Sequence, residues 1–265
     1  MSGRAEATSA SSAPLARQRR HTLHFLAEIR AMSPVFLDTE VDMSAVLAHR
    51  EAGRQYSVVS YVLHTAARVL AHHPRANAAV RGRRVAGFDG VNGKLALDKR
   101  IGGERVVLAA VLPDLHEASL AEIQRQVEHF RDGDPDTMPE FAGVRALHKL
   151  GWPLGRLAFR RVVRPLRTRA AVLGTFSVTS LGHRAVDGFY SVGGTTTTFG
   201  VGRIVRRAVV RGDAIVIAPV LRLSLTFDHR VIDGAEAADV LTEVRHALES
   251  FVDSIVPIGQ KVAAP

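Results

Sequence analysis

The sequence predicts one α/β (α+β) domain, in which a mixed β-sheet is covered by helices. Apolar runs typical of strands alternate with helical segments, and hairpin-type turns lie between several of the runs. No internal repeat divides the 265 residues. Because 46% of the residues are hydrophobic, a chain of this length buries a substantial core. These observations favour a single large domain.

Each element has its own local signal. Patterns typical of strands cover residues 36–43, 105–112, 175–180, 195–206 and 214–227. Patterns typical of helices cover residues 44–51, 57–73, 119–130 and 234–252. Pro74 ends the second of these helices, and Ser119 with Glu122 forms a capping box at the start of the third.

Turn signals separate several strands. Asp89-Gly90 and Asn92-Gly93 are typical of hairpin turns, so residues 85–97 are predicted to form a hairpin. Arg211-Gly212-Asp213 predicts the turn between the last two strands.

Composition excludes several classes of site. The chain has no cysteine, so disulfides, thiolate nucleophiles and zinc-thiolate sites are excluded, and a reducing, cytoplasmic location is expected. No apolar run approaches the roughly 20 residues that cross a bilayer, and the N-terminus lacks the apolar stretch of a secretory signal. No Gly-x-Ser-x-Gly motif is present, the glycine-rich stretches fail the nucleotide-binding patterns, and the histidines lack metal-site spacing, so no metal is predicted.

A basic segment occupies residues 144–170. The net charge of the chain is +9, and this segment contains eight arginine and lysine residues but no acidic one. Apolar residues, among them Trp152, are interspersed with the cations, while Pro153 and Pro165 interrupt the pattern. Three interpretations remain open: a lid over a site, a surface for anionic lipid or coenzyme A phosphates, or a solvated helical hairpin.

The most informative motif is Asp228-His229-Arg230-Val231-Ile232-Asp233-Gly234. It places an imidazole at the end of an apolar strand and four residues before an Asp-Gly pair that opens a helix. Histidine exchanges a proton near neutral pH, so a histidine fixed in this way suits general-base chemistry. The alternative is a histidine satisfied at a strand end, with Asp233 serving as the N-cap of the helix.

The segment that contains this motif, LSLTFDHRVIDGAEAADVL, resembles the catalytic signature of the dihydrolipoamide acyltransferases. These are the core subunits of 2-oxoacid dehydrogenase complexes, and they share the chloramphenicol acetyltransferase-like fold. The stretches at residues 174–182 (GTFSVTSLG) and 201–204 (VGRI) are similar to the same family. The resemblance covers most of residues 19–251, with one divergent block in the middle, and it implies a mixed sheet of this fold.

The resemblance also implies roles for single residues. His229 matches the general base that deprotonates a thiol, and Asp233 matches a residue that holds the active-site loop, often through an arginine for which Arg19 and Arg20 are the candidates. Thr179 matches the hydroxyl that stabilises the tetrahedral oxyanion. Neighbouring Ser180 is an alternative for that hydroxyl or for a coenzyme A contact, and ordinary strand residues are the alternative for both.

The activity implied is the transfer of an acyl group between coenzyme A and a dihydrolipoamide-like thiol, by direct attack and without an acyl-enzyme. The implied assembly is a homotrimer with its sites between subunits, and whether such trimers form a larger cage stays open. The chain contains no lipoyl attachment site, so two alternatives remain: a separate lipoylated protein supplies the acceptor, or the acyl acceptor is a different molecule. The family's proline-containing stretch is replaced here by Gly194-Thr195-Thr196-Thr197-Thr198, which affects the expected shape of the acyl pocket.

Two other classes of function remain as alternatives. One is a non-catalytic trimeric core or scaffold subunit of a 2-oxoacid dehydrogenase-type complex. The other is nucleic-acid binding, which the charge permits but which no aromatic platform or reading motif supports. The predicted organisation is a disordered arm over residues 1–18, a catalytic domain over residues 19–256 that includes the basic segment, and a tail over residues 257–265.

Overall fold

A six-stranded mixed sheet organises the chain. The computed structural model describes residues 12–53 and 55–252. In this sheet the strand order is β1-β8-β7-β6-β4-β5, and a separate hairpin pairs β2 with β3. The strands are β1 (Pro34–Asp42), β2 (Ala78–Arg81), β3 (Arg84–Gly87), β4 (Gly93–Ile101), β5 (Glu104–Leu112), β6 (Phe176–Ser180), β7 (Thr197–Arg211) and β8 (Ala214–Asp228). Strand β6 pairs in parallel with β4 and β7, and the other pairs are antiparallel.

Eight α-helices lie in the described ranges, 12–53 and 55–252. They are α1 (Arg20–Ile29), α2 (Ser44–Glu51), α3 (Val58–His72), α4 (Leu120–Asp132), α5 (Ala142–Lys149), α6 (Trp152–Val163), α7 (Leu166–Leu173) and α8 (Gly234–Glu249). None of the helices described here combines the length and apolar character that crossing a membrane requires. The prediction of a mixed sheet covered by helices is confirmed.

One face of the sheet supplies the apolar core. Strand residues alternate between the two faces, and the register brings Val178, Phe199 and Leu225 into one row on this face. All three side chains are buried in the main hydrophobic cluster, together with residues of α3 and α8. Burial of this face is the main driving force that holds the helices on the sheet.

The other face carries buried polar side chains. The register places Lys94, Ser177, Thr198 and Thr226 in one row across four strands, and all four are buried. Helix α1 covers part of this row, since the Lys94 ammonium lies 4.8 Å from the centre of the Phe25 ring. The sequence analysis did not anticipate a buried polar layer.

The connection between β6 and β7, residues 181–196, covers another part of the same face. The Ser224 hydroxyl on β8 donates to the carbonyl oxygen of Phe189 in this connection, at 2.6 Å. A Cβ built on Gly200 of β7 would lie 1.8 Å from the same carbonyl oxygen. A glycine at position 200 is therefore required for the connection to lie against the sheet.

Local signals placed several elements correctly. Ser57 and Ser119 are the N-caps of α3 and α4, where each side chain accepts a hydrogen bond from the backbone N–H three residues later. Gly212 lies between β7 and β8 with φ at +57°, as the predicted turn requires. Pro153 lies in the first turn of α6, and Pro165 is the N-cap of α7, so both prolines interrupt the basic segment as predicted.

The predicted hairpin over residues 85–97 is wrong. Asp89-Gly90 and Asn92 lie in the connection between β3 and β4, and Gly93 begins β4. Long-range hydrogen bonds fix this connection instead: the Asn92 side chain accepts from the backbone N–H of Asp114 at 3.0 Å and donates to the carbonyl of Ala170 at 3.1 Å. The hairpin turns observed in the described residues are at residues 82–83, 102–103 and 212–213.

The two predicted terminal segments fall largely outside the described residues. Residues 1–11 of the predicted arm and all of the predicted tail, residues 257–265, are not described. The described part of the arm includes a short 3₁₀ turn at Arg17–Arg19.

We expect Gly200→Ala to destabilise the fold by about 3 kcal/mol, because the added methyl group overlaps backbone that cannot rotate away. The measurement is the free energy of unfolding from urea titration followed by circular dichroism. Gly143→Ala is the control, since a Cβ at this exposed position in α5 meets nothing within 4 Å and favours the helix by up to about 1 kcal/mol. Equal stability of the two variants would contradict the assigned role of Gly200.

Candidate active site

The end of β8 fixes the backbone of His229. Strand β8 ends at Asp228, and the N–H of His229 donates to the carbonyl of Ser33 at 2.9 Å. The N–H of Ser33 in turn donates to the Asp228 carboxylate at 3.3 Å. Two chain segments nearly 200 residues apart are thus joined at the position where the imidazole leaves the sheet.

Asp228 is the buried anchor of this turn. Its side chain is 4% exposed, and the guanidinium of Arg230 donates to both carboxylate oxygens, at 2.9 Å from Nε to Oδ1 and 2.6 Å from Nη2 to Oδ2. Burial by itself would raise the pKa of Asp228, but the hydrogen bonds from Arg230 and Ser33 outweigh it and hold that pKa below the ordinary value. The carboxylate therefore stays ionised at neutral pH.

The His229 imidazole is open to solvent within one chain and lies beside a carboxylate. The side chain of His229 is 46% exposed, and its Nδ1 lies 3.4 Å from Oδ1 of Asp233. This separation is within ion-pair range and longer than a typical hydrogen bond. A carboxylate at Nδ1 favours the tautomer with the proton on that nitrogen, which leaves Nε2 as the basic atom.

Asp233 occupies the N-cap position of α8, but its side chain makes no capping hydrogen bond. The geometry therefore does not support the alternative in which Asp233 serves only to cap the helix. The carboxylate instead faces the imidazole, which agrees with an orienting residue.

Thr179 lies on β6, where it pairs with Gly200 of β7. It is half-buried, and its hydroxyl makes no hydrogen bond within the described part of the chain. The space above Gly200, its neighbour on β7, is occupied by the carbonyl oxygen of Phe189. Thr179 therefore carries an unpaired hydroxyl beside the β6–β7 connection.

Ser180 is the last residue of β6 and is differently engaged. Its hydroxyl accepts a hydrogen bond from the N–H of Gly182 at 3.3 Å, which is a local turn contact. Successive strand residues point to opposite faces of a sheet, so Ser180 and Thr179 cannot serve one ligand from the same face. This geometry favours Thr179 over Ser180 as the hydroxyl of the site.

Within one chain, Thr179 and His229 do not come together. The register aligns Thr179 with Gly200 and Ser224, and His229 lies five residues beyond Ser224 and two strands away. Five strand residues and two strand spacings correspond to a separation on the order of 15–20 Å. A single chain therefore does not hold the base and the hydroxyl around one thioester.

Within the described residues, neither Arg19 nor Arg20, the candidate partners of Asp233, pairs with it. Arg20 donates instead to the carbonyl oxygens of His148, at 2.9 Å, and Leu150. Arg19 is exposed at the N-cap of α1. Arg20 thus fastens α1 to the C-terminal end of α5 and does not hold the loop of His229.

A buried cation on the polar face was missed by the sequence analysis. Lys94 donates from Nζ to the carbonyl of Gly193, and burial first, followed by repulsion from Arg169, lowers the pKa of Lys94 to about 7. Beside it the Ser177 hydroxyl lies 2.8 Å from that of Thr195. No local pattern distinguishes this lysine from a solvent-facing strand residue, since its partners lie about 80 or more positions away.

No group of three or more metal-binding side chains occurs within residues 12–53 and 55–252. The candidate groups lie at two separate places in the chain: an imidazole with its carboxylate at the end of β8, and a hydroxyl on β6. By their chemistry, the first suits proton transfer and the second suits stabilisation of an oxyanion.

The fold is that of the chloramphenicol acetyltransferase-like acyltransferases. A solved chloramphenicol acetyltransferase aligns with a TM-score of 0.52 at 14% identity, over 89% of this chain and 96% of that one. A solved dihydrolipoamide acetyltransferase of Azotobacter vinelandii aligns with a TM-score of 0.69 at 21% identity, over 93% of this chain and 94% of that one. The predicted fold class is confirmed.

The sequence comparisons then identify the family resemblance. Residues 164–256 match the family model of the 2-oxoacid dehydrogenases acyltransferase (catalytic domain). The acetyltransferase component of the pyruvate dehydrogenase complex of Rickettsia prowazekii is 23% identical over 234 residues, which are 86% of this chain and 49% of that protein. These relatives match most of this chain, but the chain spans only about half of the length of the relatives. The resemblance to dihydrolipoamide acyltransferases is confirmed.

We expect Asp228→Ala to lower the free energy of unfolding by about 3 kcal/mol at pH 7, because it leaves the donors of a buried ion pair without an acceptor. The folded-state pKa of Asp228 lies below 3.8. Its stabilisation is therefore present above about pH 4 and is lost as the pH falls through that lower value. Denaturant titrations at pH 7 and below pH 4 test this, with a smaller difference from wild type expected at acidic pH.

The matched control for this prediction is Asp187→Ala. Asp187 pairs with Arg203 at 2.6 Å, but the two side chains are 47% and 41% exposed. An exposed pair contributes less than about 1 kcal/mol. Similar losses for the two aspartate variants would show that Asp228 is not a buried anchor.

Proposed function

We propose that this chain is a coenzyme A-dependent acyltransferase that moves an acyl group between coenzyme A and a dihydrolipoamide-like thiol. The observation that carries the proposal is the His229 imidazole, which is fixed at a strand end, exposed, and flanked at Nδ1 by the Asp233 carboxylate. The match of residues 164–256 to the acyltransferase family supports it. The Rickettsia prowazekii relative is named as an acetyltransferase component of the pyruvate dehydrogenase complex.

The proposed reaction is direct thiol attack. Nε2 of His229 takes the proton from the thiol of the acceptor, and the thiolate sulfur forms a bond to the carbonyl carbon of the acyl thioester. The tetrahedral oxyanion then collapses, the original carbon–sulfur bond breaks, and the departing thiolate takes the proton back from His229. No acyl-enzyme forms, and no external oxidant or reductant is needed.

Thr179 is the proposed oxyanion donor, and it acts from a neighbouring subunit. Stabilising the oxyanion requires a donor within about 3 Å of it, whereas Thr179 and His229 of one chain are far apart in the sheet. A cyclic trimer that brings His229 of one subunit to Thr179 of the next completes the site. The Azotobacter vinelandii structure was determined in work on a serine, a histidine and an asparagine in that protein's catalytic mechanism, which supports a hydroxyl and an imidazole acting together.

The proposed assembly is a homotrimer, and its acyl acceptor is carried by a separate lipoylated protein. We further propose that such trimers assemble into larger cages. The cubic core of a pyruvate dehydrogenase complex, whose chain has a similar fold, is a precedent.

We expect His229→Ala to reduce acyl transfer by a factor on the order of 10²–10⁴, since it removes the general base. The measurement is chromatographic detection of free coenzyme A released from a panel of acyl-coenzyme A thioesters, with and without dihydrolipoamide. His72→Ala is the control, because His72 is exposed at the end of α3 and distant in sequence from the site.

Wild-type rates in His229→Ala on every active substrate would rule out the assigned base. A trimer that releases no coenzyme A from any substrate and acceptor would favour the alternative of a non-catalytic scaffold.

We expect activity to return when subunits carrying Thr179→Ala and His229→Ala are co-assembled. In every mixed trimer, about one site in three receives an intact His229 from one subunit and an intact Thr179 from its neighbour. Co-expression with two different affinity tags and purification on both, followed by the coenzyme A assay, should give about a third of wild-type activity. Each variant alone stays on the order of a hundredfold or more below wild type.

The control for mixing is the co-assembly of Thr179→Ala subunits with subunits that carry both substitutions, which cannot form an intact site. If the two single variants fail to rescue each other in verified mixed trimers, the two residues do not act across a subunit boundary.

A further inference from the structure

Helix α6 has an apolar face on each of its two sides. Its inward face is buried at Gly155 and Val163 and packs on α1, where the ring of buried His24 lies 4.6 Å from that of Trp152. Its outward face carries Leu154 and Leu157, which are 63% and 50% exposed. Water is an unfavourable neighbour for two adjacent leucines on one helical face, so this face suits a partner.

Cations surround this outward face. Arg161 shares it, because positions i, i+3 and i+7 of a helix lie on one side and Leu154, Leu157 and Arg161 have that spacing. Further exposed cations lie on the neighbouring helices, at Lys149 of α5 and Arg167 of α7. Arg156 is also exposed, but it is two residues from Leu154 and so lies on the other side of α6, towards α1.

Other cations of the basic segment are already engaged within the fold. Arg160 and Arg164 both pair with Glu28 of α1, at 3.2 Å and 2.7 Å, and Arg169 donates to the carbonyls of Val163 and Gly194. By contrast, Lys149, Arg156, Arg161 and Arg167 are exposed and have no hydrogen bond or ion pair in the part of the chain that the structure describes. Four cations are therefore free to bind an external anion.

We propose that the outward face of α6 docks on an anionic phospholipid bilayer. Exposed leucines fit the boundary between headgroups and acyl chains, while the arginines and the lysine fit phosphate. A nucleic acid would use the cations but would leave the leucines in water. The surface contains none of the residues of the proposed acyl site, and α6 precedes the residues that match the acyltransferase family model.

The position of Trp152 makes the proposal directly measurable. It is the one tryptophan in the sequence, it begins α6, and its side chain is 44% exposed. Intrinsic tryptophan fluorescence therefore reports on this helix alone. The indole packs on His24, and docking of α6 brings its exposed part close to the bilayer, so its emission is expected to shift to shorter wavelength and to be quenched by brominated acyl chains.

The test uses the intact protein with vesicles of phosphatidylglycerol and phosphatidylcholine, and with vesicles of phosphatidylcholine alone, at about 0.15 M salt. We expect sedimentation with the anionic vesicles, together with the emission shift and quenching. The double variant Leu154→Ser/Leu157→Ser and the double variant Arg161→Glu/Arg167→Glu should each weaken binding about tenfold or more.

Two control variants test whether binding depends on this face in particular or on exposed apolar side chains and positive charge anywhere on the surface. Val85→Ser/Val107→Ser removes two apolar side chains that are 58% and 57% exposed elsewhere, and Arg83→Glu/Arg84→Glu makes the same change in net charge on the β2–β3 hairpin. Both controls should bind vesicles like wild type, and circular dichroism verifies that all four variants are folded.

Several results would overturn the proposal. These are the absence of binding to anionic vesicles, binding without a change in Trp152 emission, and equal weakening by the control variants, which would indicate charge alone. A change in oligomeric state caused by Leu154→Ser/Leu157→Ser would assign the face to contacts between copies of the chain. Displacement of bound vesicles by duplex DNA that itself shifts the Trp152 emission would assign it to nucleic acid.

Discussion

The buried carboxylate of Asp228 is the constraint on which the presentation of His229 depends. A buried carboxylate is costly unless donors fill its lone pairs, and here they come from Arg230 and from the backbone N–H of Ser33. Arg230 belongs to the turn itself, whereas Ser33 lies just before β1. The turn is therefore held both from within and from a neighbouring segment. In that arrangement the backbone of His229 is tied to Ser33 and its side chain faces outward. An exposed reactive group is thus positioned by a buried ion pair that takes no part in the chemistry.

Elements set by local chemistry could be predicted from the sequence, and elements set by distant contacts could not. Ser57 and Ser119 begin helices because their hydroxyls meet backbone N–H groups three residues away. Asn92 has an equally good local turn signal, yet its amide is bound by Asp114 and Ala170, which lie 22 and 78 positions away. Such long-range contacts outweigh the preference of an Asn-Gly pair for a hairpin turn. They cannot be predicted from local sequence patterns.

The same distinction applies to the candidate site. The pairing of His229 with Asp233 could be predicted, because four residues around a turn keep two side chains close. The separation of Thr179 from His229 depends on the register of three strands, which the sequence does not state. Lys94 shows most clearly what the sequence could not predict. An isolated lysine on a strand is expected to face solvent, whereas the fold buries Lys94 below Phe25, and burial lowers its pKa to about 7.

Helix α1 links the proposed bilayer-docking face to the proposed catalytic turn. Glu28 of α1, only 14% exposed, holds Arg160 and Arg164 of the basic segment, and Ser33, just after α1, holds Asp228 and His229. A ligand shifts an equilibrium only when it binds two arrangements with different affinity. Leu154 and Leu157, through which α6 is proposed to dock, take part in none of these contacts, so docking through them leaves the contacts in place. The expected effect of a membrane is therefore on where the proposed acyl transfer occurs and not on its intrinsic rate.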